Sequence, residues 1–166
     1  LAVKNGQLPL PVTNSRYSTV RLATTISGPN VNPMVSTTGD EHWYYMELLR
    51  NGSECIKDAA KSGDKLIKTA TPSIKYLNAY MWSLVEANDQ GDVYFKSKAG
   101  NYIAQLDGTF QYITSDESKR NSSGCYQVCD VADRSDYAGT FIIKNQDTGK
   151  FIFPYDSNSK DIGIGS

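Results

Sequence analysis

The sequence predicts an all-β domain built from three copies of one hairpin-containing unit. Its eleven tyrosines, together with threonine, isoleucine and valine, favour pleated strands over helices. Gly52, Gly100 and Gly149 recur 48 and 49 residues apart, and each follows an aromatic-rich segment that ends in a polar turn. No segment carries apolar residues at the spacing that an amphipathic helix requires. Together these observations indicate repeated β-hairpins.

The chain is long enough for one well-cored domain with a short preceding segment. Residues 1–37 are predicted to be an extended N-terminal segment or linker, in which proline and glycine clusters flank one strand at residues 17–26. Residues 38–166 form the predicted main domain. Its three repeats are expected at about residues 40–89, 90–136 and 137–166. The third repeat is truncated, so either the chain ends before its closing strand or the strand at residues 17–26 fills that place.

The glycines also provide an alignment of the repeats. Three residues past each glycine stand Cys55, Ile103 and Ile152. Their common offset predicts that all three occupy the same core position on the return strand of a hairpin. Cys55 is therefore expected to be a small buried side chain and not a nucleophile.

The charge pattern and the lengths of the apolar runs argue against two classes of partner. The formal net charge is −1, and basic residues are interleaved with acidic ones, so the sequence shows no electrostatic footprint for nucleic acid. No apolar run approaches the roughly 20 residues that a membrane-spanning helix needs. We expect neither a nucleic-acid partner nor a membrane span.

Catalytic and metal-binding chemistry is not indicated either. The single histidine, His42, has no neighbours at metal-ligand or triad spacing. No phosphate loop or nucleophile elbow is present. Cys125 and Cys129 stand four residues apart, a spacing that leaves open a strained disulfide or two free thiols. We expect no enzyme, no cofactor and no metal site.

Four runs of residues carry a resemblance to a known family. They are residues 42–47, 51–52, 78–85 and 95–103. With the threefold repeat, they resemble the ricin-type β-trefoil lectin family, in particular the trefoil modules of large secreted bacterial proteins that are carbohydrate-active or adhesive. Residues 80–82 keep the tryptophan of that family's closing Gln-x-Trp signature but have tyrosine in place of glutamine.

The resemblance implies a β-trefoil, in which six strands close a barrel and six more form hairpins. It also implies a noncatalytic carbohydrate-binding, lectin-like module of a secreted or cell-surface protein. The implied partners are a glycan or polysaccharide and other domains of a larger protein. The alternative is a structural or protein-interaction domain with no sugar binding.

The resemblance further implies a sugar site in the first repeat. Such a site needs an aromatic face and an Asp or Asn that exchanges hydrogen bonds with sugar hydroxyls. The predicted ligand-binding residues are Asp58, Tyr76, Asn78 and Tyr80. The alternative is that Asp58 is a solvated turn residue and that both tyrosines are partly buried packing residues.

Three further residues are assigned structural roles. Asp107 precedes Gly108, a pair typical of hairpin turns, and is expected to shape its turn. Trp43 and Trp82 lie within alternating apolar segments and are expected in the core.

Overall fold

The computed structural model describes residues 19–25, 28–48, 54–70, 78–130, 140–154 and 159–165. These residues form thirteen strands, one short α-helix and one 3-10 turn, so the all-β class expected from the sequence is confirmed. The elements are β1 (Thr19–Ala23), β2 (Val35–Ser36), β3 (Tyr44–Leu48), β4 (Glu54–Lys57), β5 (Ile67–Ala70), the 3-10 turn (Asn78–Tyr80), β6 (Met81–Glu86), β7 (Val93–Ser97), β8 (Tyr102–Ala104), β9 (Tyr112–Thr114), α1 (Glu117–Ser123), β10 (Tyr126–Asp130), β11 (Thr140–Asn145), β12 (Phe151–Pro154) and β13 (Ile162–Gly165).

Six of the strands pair in a closed ring. The order around the ring is β1, β3, β6, β7, β10 and β11, and β11 pairs again with β1. Every pairing in the ring is antiparallel. Closure of this kind leaves no free strand edge within the ring, which removes a common route to aggregation.

Apart from β2, the remaining strands form three hairpins attached to the ring. These are β4 with β5, β8 with β9, and β12 with β13. Each hairpin joins the ring through its first strand, which pairs with β3, β7 or β11. Strand β2 is separate and pairs in parallel with β6.

The strand expected at residues 17–26 is present as β1, over Thr19–Ala23; residues 17, 18 and 26 lie outside the described residues. It lies between β11 and β3, with Val20 opposite both Phe141 and Leu48. In the same way, β6 lies between β3 and β7, and β10 lies between β7 and β11. Part of the N-terminal segment therefore belongs to the same sheet as residues beyond 37.

The three hairpins meet at one point through a cyclic set of backbone hydrogen bonds. Leu66 N–H donates to the Gln111 carbonyl at 2.9 Å, Gln111 N–H donates to the Ile162 carbonyl at 2.8 Å, and Ile162 N–H donates to the Leu66 carbonyl at 3.1 Å. All three residues are fully buried. Because each carries one donor and one acceptor in the cycle, the hairpins are equivalent at this point.

The register of the hairpins corrects the glycine-based alignment. Cys55 pairs with Glu47 in the first unit, as Tyr102 pairs with Lys96 and Phe151 with Lys144 in the others. The residue of the first unit that is equivalent to Ile103 and Ile152 is therefore Ile56, and not Cys55. The offset fails because two residues separate Gly52 from the paired position Cys55, whereas one residue separates Gly100 from Tyr102 and Gly149 from Phe151. Cys55 is still fully buried, but in a separate small cluster with Tyr45, Tyr80 and Met81.

The main core fills the ring from all six strands. Its members include Leu22, Met46, Trp82, Phe95, Val128 and Ile143. Trp82 is fully buried, as expected from the sequence, and its indole N–H donates to the Ile56 carbonyl at 3.1 Å. That bond satisfies the one polar atom of the largest side chain in the core.

We expect Leu22→Ala to lower the free energy of unfolding by about 2–5 kcal/mol, because it opens a cavity in the ring core. Met34→Ala, at the one large apolar side chain that is well exposed among the described residues, is the matched control and should change stability by less than about 0.5 kcal/mol. Urea unfolding followed by tryptophan fluorescence measures both. Equal stability of the two variants would contradict the placement of β1 inside the core.

Candidate functional site

Asp58, the acidic residue predicted to bind sugar, is buried and is 1% exposed. Its Oδ1 accepts hydrogen bonds from Ala60 N–H at 2.7 Å and from the Asn101 side-chain amide at 3.1 Å. Its Oδ2 accepts a hydrogen bond from the Ser97 hydroxyl. Both carboxylate oxygens are therefore engaged by protein donors. In this arrangement the carboxylate holds a turn and does not face solvent.

The contacts of Asp58 explain why that carboxylate is buried. Ala60 has a φ of 77°, a conformation that is costly for a residue with a Cβ atom. Asp58 binds its N–H, and the Asn101 side chain donates to its carbonyl at 3.4 Å. The first hairpin is thereby tied to the turn that follows β7.

The second unit repeats this connection with a neutral side chain. Gln105 lies two residues past Ile103, as Asp58 lies two residues past Ile56. Its side-chain carbonyl accepts a hydrogen bond from the Thr148 hydroxyl at 2.6 Å, in the turn that follows β11. The same position therefore joins successive units twice, which favours a structural role for Asp58.

The other predicted sugar-binding residues are distributed between surface and interior. Asn78 is exposed in the 3-10 turn, whereas Tyr80 is mostly buried and its hydroxyl is 2.9 Å from the Thr69 hydroxyl. Tyr76 lies outside the described residues. A backbone hydrogen bond of 2.9 Å from Asp58 to Ala79 places this turn next to Asp58. The described residues of the set are thus neighbours, but only Asn78 presents its side chain to solvent.

A shallow open groove of about 270 Å³ lies instead beside Trp43, on the outside of the ring. Its lining consists of small hydroxyl side chains, one carboxylate, one ammonium group and two apolar residues: Ser36, Thr37, Thr38, Glu41, Trp43, Ser83, Val85 and Lys96. We call this feature the Trp43 groove.

Local hydrogen bonds fix the walls of the Trp43 groove. Because β2 runs parallel to β6, the Ser36 and Ser83 hydroxyls meet at 2.6 Å. Ser36 Oγ also accepts from His42 N–H at 2.8 Å, which anchors the chain that leads to Trp43. Gly39, with a φ of 83°, provides the reversal between Thr37 and Asp40.

Trp43 departs from its predicted place in the core. It is only partly buried and packs against the small cluster that contains Cys55. The Lys98 ammonium lies 5.3 Å from the centre of its ring system. Side chains of adjacent residues on an extended chain point to opposite faces, so Trp43 faces outward where Tyr44 joins the main core. This alternation is visible in the sequence, and it could have predicted that Trp43 faces outward, where it lines the groove.

A larger cavity of about 500 Å³ lies against the three hairpins. Its charged side chains include Lys65 and Asp161, which are 3.5 Å apart, and the Lys65 ammonium lies 4.0 Å from the Phe110 ring centre. Tyr112, which also lines the cavity, donates its hydroxyl proton to Asp107. That hydrogen bond raises the pKa of Tyr112 to about 12 and lowers the pKa of Asp107. Lys65 with Asp161, and Tyr112 with Asp107, therefore already bind one another in pairs.

The turn role expected for Asp107 is confirmed. Its carboxylate accepts from the N–H groups of Thr109 and Phe110 at 2.8 and 3.0 Å. This is the local hydrogen bonding by which aspartate stabilises turns.

No disulfide joins any of the three cysteines, so Cys125 and Cys129 are not paired. Burial, with a further contribution from the Asp92 carboxylate, raises the pKa of Cys125 to about 11. Burial likewise raises the pKa of Cys129 to about 11. Within the described ranges, no three His, Cys, Asp or Glu side chains are grouped so that they could hold a metal ion.

The comparisons with known proteins give no family assignment. No family model and no curated protein matches this chain. The part of the chain that the structure describes contains no helix of the length and apolar character needed to cross a bilayer.

We expect Asp58→Ala to lower the free energy of unfolding by about 2–3 kcal/mol, because it removes the carboxylate that accepts hydrogen bonds from the buried side chains of Ser97 and Asn101. Asp64→Ala removes an exposed carboxylate six residues away and should cost less than about 0.5 kcal/mol. Chemical denaturation measures the difference. If the two variants were equally stable, the carboxylate of Asp58 would not be a structural link.

We expect Cys125 and Cys129 to react slowly with iodoacetamide in the folded protein. A pKa near 11 leaves about 0.1% thiolate at pH 8, against about 10% for a thiol of pKa 9, and the thiolate is the reactive form. Peptide mass spectrometry should therefore show labelling roughly a hundredfold slower than in urea. Equal rates in the folded and unfolded protein, or a disulfide-linked peptide, would contradict this state of the thiols.

Proposed function

We propose that this chain is a β-trefoil domain. The closed ring of six antiparallel strands, the three attached hairpins and the cyclic hydrogen bonds of Leu66, Gln111 and Ile162 support this proposal. In this interpretation β1 takes the place of the closing strand of the third repeat. The closing strand that the third repeat lacks is then supplied by the N-terminal part of the chain.

On that fold we propose a noncatalytic carbohydrate-binding function, in a secreted or cell-surface protein that carries other domains. The observation that carries this proposal is the composition of the Trp43 groove, where an aromatic ring, hydroxyl groups and charged groups line one open surface. The exposed part of the Trp43 indole can accept the C–H face of a sugar ring. The exposed hydroxyls of Thr37 and Thr38, with Glu41 and Lys96, supply donors and acceptors for sugar hydroxyl groups.

The openness of the groove suits weak and repeated contacts with a polymer. A shallow surface covers only part of a sugar unit, so a single contact is expected to be weak. Other modules of the same protein would raise the overall avidity by binding the same polymer. In this role the domain concentrates its parent protein at a glycan.

The predicted residues have different places in this proposal. Asn78 remains available at the surface, whereas Asp58 and Tyr80 support the fold around the 3-10 turn. Trp43 and Glu41 take the places of Tyr80 and Asp58 as the aromatic and acidic groups of the sugar site. The alternative, a structural or protein-interaction domain, requires that no glycan bind in the Trp43 groove.

We expect Trp43→Ala to weaken glycan binding at least about tenfold, equivalent to about 1.4 kcal/mol, through loss of the stacking surface. A glycan array identifies a ligand, and calorimetry with that ligand compares the variant with the unchanged protein. Phe110→Ala removes a partly buried aromatic ring on another hairpin and is the matched control. Unchanged affinity in Trp43→Ala would exclude the groove, and no binding by any glycan would favour the protein-interaction alternative.

A further inference from the structure

We propose that the Trp43 groove is one end of a longer binding face whose ligand is an acidic polysaccharide with uronate carboxylates. This inference rests on the proposed carbohydrate-binding function and names its substrate class. We define the Lys96 face as Trp43, Tyr94, Lys96, Tyr102 and Arg120. Lys96 belongs both to the groove and to the aromatic cluster beyond it.

The strand register makes the Lys96 face continuous. Ser83 pairs with Lys96 and Val85 pairs with Tyr94, so the groove residues of β6 lie beside the outward residues of β7. Lys96 also pairs with Tyr102 on β8. Neighbouring strands are about 4.8 Å apart and alternate residues about 6.8 Å apart, so these positions extend over several sugar units. Phe95 lies between Tyr94 and Lys96 and is buried, which confirms that the two flanking side chains share the outer face.

The end of the Lys96 face that is distant from Trp43 is a cluster of two aromatic rings and one cation. The rings of Tyr94 and Tyr102 meet edge to face, with centres 6.3 Å apart. The Arg120 guanidinium carbon lies 4.5 Å from the centre of the Tyr94 ring and 4.8 Å from that of Tyr102. Arg120 and the Tyr94 hydroxyl both donate to the side-chain carbonyl of Asn121, at 2.8 and 3.2 Å. These contacts hold the guanidinium in place beside the two tyrosine rings.

Arg120 belongs to α1, and a capping interaction fixes the start of this helix. The Asp116 side chain caps the helix by accepting from the N–H groups of Ser118 and Lys119 at 2.9 and 3.4 Å. The helix contacts β8, the strand that carries Tyr102. The position of the guanidinium over the rings therefore follows from the backbone.

The cations of this region lack close carboxylate partners. Among the described residues, no carboxylate lies within 4.0 Å of the Lys96 or Lys98 ammonium group. Arg120 approaches only Glu117, at 4.0 Å, and the Glu117 side chain is 77% exposed. Glu41 is the one carboxylate that lines the groove end. The face thus offers positive charge that an anionic ligand can neutralise.

The spacing of these cations favours uronates over heavily sulfated chains. Lys96 and Arg120 are separated by the Tyr102 ring, which lies 5.8 Å from the Lys96 ammonium. A polyuronate presents one carboxylate on each sugar, so alternating cations and aromatic rings match its charge and its apolar sugar faces. The guanidinium also matches the planar geometry of a carboxylate.

The third unit provides a matched control for charge. Lys144 pairs with Phe151 as Lys96 pairs with Tyr102, so the two lysines have equivalent places in the ring. Both are partly exposed. Lys144→Gln and Lys96→Gln therefore remove the same charge from equivalent sites, one outside the Lys96 face and one inside it.

The test is calorimetry of the full chain with oligogalacturonate and with its fully methyl-esterified form, which has the same sugar backbone without the charge. We expect the free acid to bind more tightly, and this preference to decline as salt is raised. Lys96→Gln and Arg120→Gln should each weaken binding of the free acid about fivefold or more, whereas Lys144→Gln should leave it within about twofold. Lys144→Gln should leave binding of the ester unchanged, and Lys96→Gln and Arg120→Gln should weaken binding of the ester less than they weaken binding of the free acid. Thermal unfolding confirms that the variants remain folded.

Other outcomes separate this inference from the proposed function. Equal binding of acid and ester, both lost in Trp43→Ala, would overturn the acidic-ligand inference and leave the carbohydrate-binding function standing. Tighter binding of dextran sulfate than of oligogalacturonate would overturn the choice of uronate. Binding of polyglutamate at the same affinity, with the same loss in Lys96→Gln, would overturn it in favour of an acidic protein segment. No binding of acid, ester or any glycan on an array would contradict both proposals.

Discussion

The structure depends on the pairing of β1 with both β11 and β3. This short strand comes from the N-terminal part of the chain, and it converts an open row of five strands into a closed ring. On its inner side, Val20 and Leu22 complete the core. On its outer side, Arg21 binds both oxygens of the mostly buried Glu47 at 3.0 and 3.2 Å. Removal of one partner from such a buried pair leaves an uncompensated charge, so the pair also favours one register.

Closure of the ring separates two uses of polar side chains. Inside, Asp58 and Gln105 connect the first and second hairpins to the turn of the next unit, and their acceptors are engaged by protein donors. Outside, the ring strands β6 and β7 present hydroxyl, aromatic and cationic groups that are only partly engaged. The proposed glycan surface lies on this outer side, where a ligand can bind without disturbing the links that hold the units together.

Sequence patterns predicted the strands well because pleated, aromatic-rich segments carry a local signal. They also identified Trp82 as core and Asp107 as a turn residue, since both roles follow from immediate neighbours. Glycine spacing misaligned the first hairpin by one residue, because the first turn has one more residue between its glycine and the paired position than the other two turns have. Asp58 was predicted to bind sugar, but it is buried, and its burial depends on Ser97 and Asn101, about forty residues later in the chain.

By itself the sequence determined the all-β class, the repeated hairpins and the apolar side chains that fill them, because periodicity and turn chemistry act over a few residues. Only the tertiary structure decided which strand closes the ring, which acidic group is buried and which tryptophan is left at the surface. It also brought Lys96 and Arg120 to one face of a chain whose linear charge pattern is evenly mixed. These properties depend on contacts between residues far apart in sequence, and such contacts set burial and the pairing of charge.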